Sequence, residues 1–226
     1  MKNARYIING YLLLSVTGVR FLGMGVLSFL GYEMGADAPT NFTKIHPVSY
    51  LLLASTVLNL FRVKDMEAVL RGYGNNKLEF RVLTLIIAIF IYLYFTNNLS
   101  SVSFIVDTLL CPVLVALNFN YYPERLKRNA RKLCVQLILL NSYIAIGERI
   151  FSINLFPIDS YFGDIFRSTA LLGHPLNNAL ITLVVFLYVA SVAIPVWRKI
   201  YIMTVLFTAL ICFGARGSLY AGILGL

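Results

Sequence analysis

Apolar runs of about fifteen to twenty residues recur along this chain, each closed by a short polar or basic break, and that rhythm restricts the fold more than any other feature. A helix rises about 1.5 Å per residue, so ~20 apolar residues cross the ~30 Å hydrocarbon core of a bilayer. Seven runs are counted: Tyr11–Gly31, Pro47–Phe61, Val82–Phe95, Val102–Asn118, Leu133–Ile150, Ala179–Val196 and Ile200–Ala215. The stretch Leu219–Leu226 starts an eighth, and the chain is expected to be incomplete at this C-terminal end. The expected fold class is all-α: a polytopic helical membrane protein, one transmembrane domain over residues 1–226. Composition agrees, since 59% hydrophobic residues, 13% charged residues and a mean hydropathy of +0.78 lie outside the range of soluble domains. Some runs are short, so flanking aromatics must reach the interface or the bilayer must thin around them. The first run is longer than a signal-peptide core, carries Arg20 and lacks a small-residue cleavage site before Glu33, so it is read as a span.

The net charge of +9 would suit nucleic acid if the basic residues formed one stripe, but they fall in clusters between apolar runs, and no nucleic-acid partner is expected. The clusters instead set an orientation. If Lys2 and Arg5 are cytoplasmic, alternation puts the five basic residues from Arg62 to Arg81, the five from Arg125 to Lys132, and Arg198 and Lys199 on the same side. That side then holds fourteen of the nineteen lysines and arginines, against Lys44, Arg149, Arg167 and Arg216 opposite, so the N-terminus is expected inside. The connection 152–178 becomes external. The inside stretch Lys64–Arg71 reads either as a short interfacial helix beside anionic lipid or as a solvated basic loop.

No phosphate-binding glycine loop, nucleophile elbow or HExxH pair occurs. Cys111, Cys134 and Cys212 lie in apolar runs without metal-ligand spacing and read as packing residues, so neither a metal nor a cofactor is expected. What remains is ionisable residues in or beside the membrane, where charge is costly. Arg167 and Arg216 stand on the face where positive charge is scarce. Two guanidinium forks near one cavity suit a diphosphate; pairing with Asp159 or Asp164, or contact with lipid headgroups, is the alternative. Arg20 and Asp107, at depths of roughly 13 and 8 Å by helical rise, suit an intramembrane ion pair or a polar substrate cavity. Glu148 is a third such charge, at the end of the fifth run.

The segment Phe166-Arg-Ser-Thr-Ala-Leu-Leu-Gly-His-Pro-Leu-Asn-Asn178 resembles the conserved external segment of the O-antigen ligase and O-antigen polymerase superfamily, with Arg167, Gly173, His174, Pro175 and Asn177 in the family's order. Leu176 intervenes where many members have Pro followed directly by Asn. Gly214-Ala-Arg-Gly-Ser218 is similar to the family's Ser-Arg-Gly element, with Ala215 in place of Ser. The resemblance covers mainly 166–222. It implies a membrane glycan polymerase or ligase of the bacterial inner membrane that uses a polyprenyl-diphosphate-linked saccharide, without metal or nucleotide sugar, beside other envelope polysaccharide assembly proteins. It implies Arg167, Arg216 and Asn177 as substrate-binding residues. His174 is the candidate catalytic base, or a residue that caps the helix and shapes the turn. A transporter or flippase component and a non-catalytic envelope scaffold are the competing readings; no internal repeat favours the transporter.

Overall fold

A computed structural model describes residues 15, 17–19, 21–32, 45–62, 77–96, 102–119, 124–156 and 166–225. Among them all regular secondary structure is helical and no strand is present. Arg20, the stretch Lys64–Arg71, Asp159 and Asp164 lie outside the described residues. The chain divides into two compact units, one drawing on Met1–Arg20 and Glu33–Ala130, the other on Phe21–Tyr32 and Arg131–Leu226. Helices are numbered in chain order: α1 (Met24–Phe29), α2 (Pro47–Arg62), α3 (Lys77–Phe95), α4 (Val102–Ile105), α5 (Cys111–Phe119), α6 (Glu124–Phe151), α7 (Pro175–Ser191), α8 (Val196–Phe213) and α9 (Arg216–Leu224).

In the first unit α5 packs against α2 and α3. A π-helical turn, Val106–Leu110, joins α4 to α5. Pro112 has no N–H to give the carbonyl of Thr108, four residues earlier, and the wider turn accommodates that loss. The turn carries Asp107, whose carboxylate accepts the His46 N–H at 3.2 and 3.1 Å and the Ser49 hydroxyl at 2.6 Å. These donors belong to the start of α2, where backbone N–H groups are unmatched and negative charge is favoured. The Cys111 thiol donates to Ser49 Oγ at 3.0 Å, and Val48, Leu52 and Leu114 close the core around it.

The second unit contains α1, most of α6, and α7 to α9. Helix α6 starts nine residues before its apolar run, because the stretch Glu124–Lys132 is rich in good helix formers and Lys127 donates to Glu124 at 2.8 Å one turn back. Pro175 opens α7, where a missing N–H costs nothing. At its other end Lys199 donates to the carbonyls of Ala190 and Val192. Helix α8 packs against α7, and α9 against both. Ile138, Phe186 and Leu206 meet in one apolar cluster, and Ala145, Ala179, Leu210 and Phe213 in another.

This unit buries several polar side chains beside its apolar clusters and exposes many large apolar ones. Asn141, Ser142, Glu148, Ser168, Thr169, Asn178 and Thr182 are buried, while Leu180, Val184, Ile200 and Ile211 are more than half exposed and Trp197 is 85% exposed. Among the described residues two helices, α6 and α8, are long and apolar enough to cross a membrane; the apolar stretches Pro47–Val57, Arg81–Phe95, Val106–Ala116 and Pro175–Ser191 are shorter. The expected span at 133–150 falls in α6, and that at 200–215 overlaps α8, which starts four residues earlier and ends two residues sooner. The first expected span differs from the structure, because 22–23 is not helical and separates the helical residues 17–19 from α1.

Candidate functional site

Asn141, Ala145 and Glu148 follow one another at spacings of four and three along α6, so they share a face. That face holds the segment 166–174 almost entirely by its backbone. Glu148, 5% exposed, accepts N–H groups from Thr169 at 3.0 Å and Ala170 at 2.9 Å on one oxygen, and from Leu155 at 2.8 Å on the other. Burying a carboxylate costs several kcal/mol; three charge-assisted hydrogen bonds offset it. Successive amides converging on one oxygen form a small anion nest, and the left-handed Ala170 (φ 42°) turns its N–H toward the same carboxylate as its neighbour.

Two turns earlier in α6, Asn141 Oδ1 accepts the Leu171 N–H at 2.9 Å, and its amide donates to Asn178 Oδ1 at 2.8 Å. Asn178 in turn donates to the carbonyls of Thr169 at 2.6 Å and His174 at 3.1 Å. Gly173 (φ 78°) closes the turn with its N–H on the Thr169 carbonyl at 2.9 Å. From the other side Gly23 donates to Leu171 O at 2.9 Å, and a Cβ on Gly23 would overlap the backbone of Leu171 and Leu172. This contact accounts for the break in the first apolar run: the 22–23 backbone leaves the helix and lies against the 171–172 turn.

Ser168 ties the segment to two helices at once. Its hydroxyl donates to the Ala145 carbonyl of α6 at 2.7 Å, and its N–H to the Cys212 carbonyl in the last turn of α8 at 3.3 Å. Helix α8 then stops at the left-handed Gly214 (φ 66°), a conformation that favours glycine, and α9 begins at Arg216. The Arg167 side chain runs along this stop: a Cβ on Gly214 would stand 3.5 Å from its Cγ and Nε and 3.6 Å from its Cδ. Arg149, one turn beyond Ala145, donates from Nη1 to the Phe166 carbonyl at 2.7 Å, with its guanidinium carbon 5.9 Å from the centroid of that ring.

The two segments carrying Arg167 and Arg216 are therefore adjacent at Gly214, with Arg216 described by its backbone alone. His174 stands before the first residue of α7 with extended backbone (φ −111°, ψ 121°), and its side chain makes no capping hydrogen bond. Its carbonyl accepts the Asn178 N–H at 3.0 Å, the first hydrogen bond of α7. Asn177 is exposed, whereas Asn178 is fully buried in the network. Asp107 belongs to the other unit and serves the start of α2, while Arg20 lies outside the described residues. Among the described residues no group of three or more His, Cys, Asp or Glu is gathered to hold a metal. Sequence reasoning passed over Asn141, Ser168, Thr169 and Asn178; the three-and-four spacing of Asn141, Ala145 and Glu148 was the available signal. The chain matches no family, no curated protein and no solved structure.

Proposed function

We propose that this chain belongs to a membrane glycan polymerase or ligase of the O-antigen ligase and polymerase superfamily, moving a saccharide from a polyprenyl-diphosphate donor at the outer face of the bacterial inner membrane during cell-surface polysaccharide synthesis. One observation carries the reading. Arg167 lies along Gly214, two residues before Arg216, so the two segments on which the resemblance rests are spatial neighbours although two helices separate them in the chain. Guanidiniums from adjacent segments suit a diphosphate, because each planar fork can take one phosphate and together they stabilise the charge left on the departing group. The buried network beneath supplies the rigid seat that such a site needs. His174 is the candidate base and Asn177 a candidate donor to the substrate. Seven spans, a cytoplasmic N-terminus and an external 152–178 connection belong to the same reading, supported by the basic-residue distribution and the apolar exterior of α7 and α8.

The test is glycan transfer from a defined lipid-linked donor in membranes carrying the full-length protein, normalised to its abundance. Arg167→Lys and Arg216→Lys are each expected to lower transfer about tenfold or more, since an ammonium keeps the charge but not the fork. Normal transfer by both variants at wild-type abundance would remove this reading.

A further inference from the structure

Three elements that meet at or next to the Ser168 bridge each carry an arginine. Arg149 lies one turn beyond Ala145, which accepts the Ser168 hydroxyl; Arg167 immediately precedes Ser168; Arg216 lies four residues beyond Cys212, which accepts the Ser168 N–H. Arg149 was the one not implicated by resemblance. It is exposed, yet its position is fixed, by the 2.7 Å hydrogen bond to the Phe166 carbonyl and by the Phe166 ring beneath it. A guanidinium has five N–H donors, and this bond uses one of them. Among the described residues the carboxylate next to Arg149 in the chain, Glu148, faces inward and is engaged by three backbone N–H groups. A fixed cation with donors to spare, held on the residue that precedes Arg167, suits an external anion.

We propose that Arg149 is a third anion ligand of the Arg167–Arg216 site, and that it sets the preference of that site for a lipid diphosphate over a lipid monophosphate. The inference rests on the proposed donor chemistry and extends it. The terminal phosphate of a lipid diphosphate adds roughly one negative charge and several acceptor oxygens to those of the monophosphate, more than two guanidiniums match. A third guanidinium supplies the missing charge and donors only for the longer headgroup.

Binding of farnesyl diphosphate, farnesyl monophosphate and inorganic pyrophosphate is measured on the purified chain in phosphatidylcholine nanodiscs, where no anionic headgroup competes. Arg149→Gln keeps a donor for the Phe166 carbonyl and removes the charge. It is expected to weaken farnesyl diphosphate about tenfold while leaving the monophosphate within about twofold, as for loss of one hydrogen bond to a charged group. Arg167→Gln is expected to weaken both lipids. Inorganic pyrophosphate is expected to bind more weakly than the lipid and to show the same dependence on Arg149; pyrophosphate binding as tight as the lipid's would overturn the lipid assignment. Unchanged diphosphate binding in Arg149→Gln, or equal loss of both lipids, overturns the role of Arg149 and leaves the proposed function standing. Absence of farnesyl diphosphate binding in the wild type overturns both. Should Arg149→Gln not fold, Arg149→Lys carries the same comparison: reduced preference for the diphosphate supports the proposal, and unchanged preference overturns it.

Discussion

Glu148 is a buried charge whose partners are backbone amides rather than a cation, and a substitution that keeps its shape separates the two kinds of pairing. In Glu148→Gln one oxygen becomes an NH₂ group facing N–H donors, leaving at least one buried donor unmatched at about 1–3 kcal/mol. The expected result is a lower thermal midpoint in detergent with faster hydrogen exchange at Thr169 and Ala170; an unchanged midpoint would mean that the carboxylate does not hold the segment. The adjacent asparagines divide in the same manner. Asn178→Ala removes three hydrogen bonds of a buried side chain and should cost about 2–3 kcal/mol, whereas the exposed Asn177→Ala should stay within about 0.5 kcal/mol, so its effect on ligand binding can be read without a stability correction. The sequence marked Glu148 as a costly charge but could not identify its partners, because Leu155, Thr169 and Ala170 contribute N–H groups that every residue but proline carries.

At the level of elements, two helix ends make the strongest demands. The stop of α8 needs the left-handed conformation at Gly214, so Gly214→Ala should cost about 1–2 kcal/mol through its backbone alone, the added Cβ meeting Arg167 at ordinary van der Waals distance; it is expected to lower the thermal midpoint in detergent. The start of α2 relies on Asp107, and Asp107→Ala should lower stability by about 1–3 kcal/mol through loss of the acceptor for Ser49 and for the His46 N–H, measurable as earlier thermal loss of helicity. Helix positions were largely legible: hydropathy located α2, α3, α7 and α8 within a few residues. It missed the first nine residues of α6, a charged stretch that is helical by propensity rather than by apolar character. It also joined the first run into one span, since the glycine contact that breaks it depends on residues near position 171.

For the molecule as a whole, the proposed orientation makes a direct prediction. In a background with Cys111, Cys134 and Cys212 replaced, Asn177→Cys should react with a membrane-impermeant maleimide in intact cells, and Arg128→Cys only after permeabilisation. The reverse pattern would invert the topology. Of the site, the resemblance supplied its two arginine segments and the structure their adjacency at Gly214, while the asparagine and serine network beneath them had no motif to announce it. Gly23 extends that adjacency into biosynthesis. Its amide waits for the carbonyl of a residue made about 150 positions later, and at about 5–20 residues per second that partner leaves the ribosome roughly 7–30 s afterwards. For all that time the N-terminal part of the second unit is without its seat, so a nascent chain stalled before residue 171 should be the form that membrane chaperones and proteases engage.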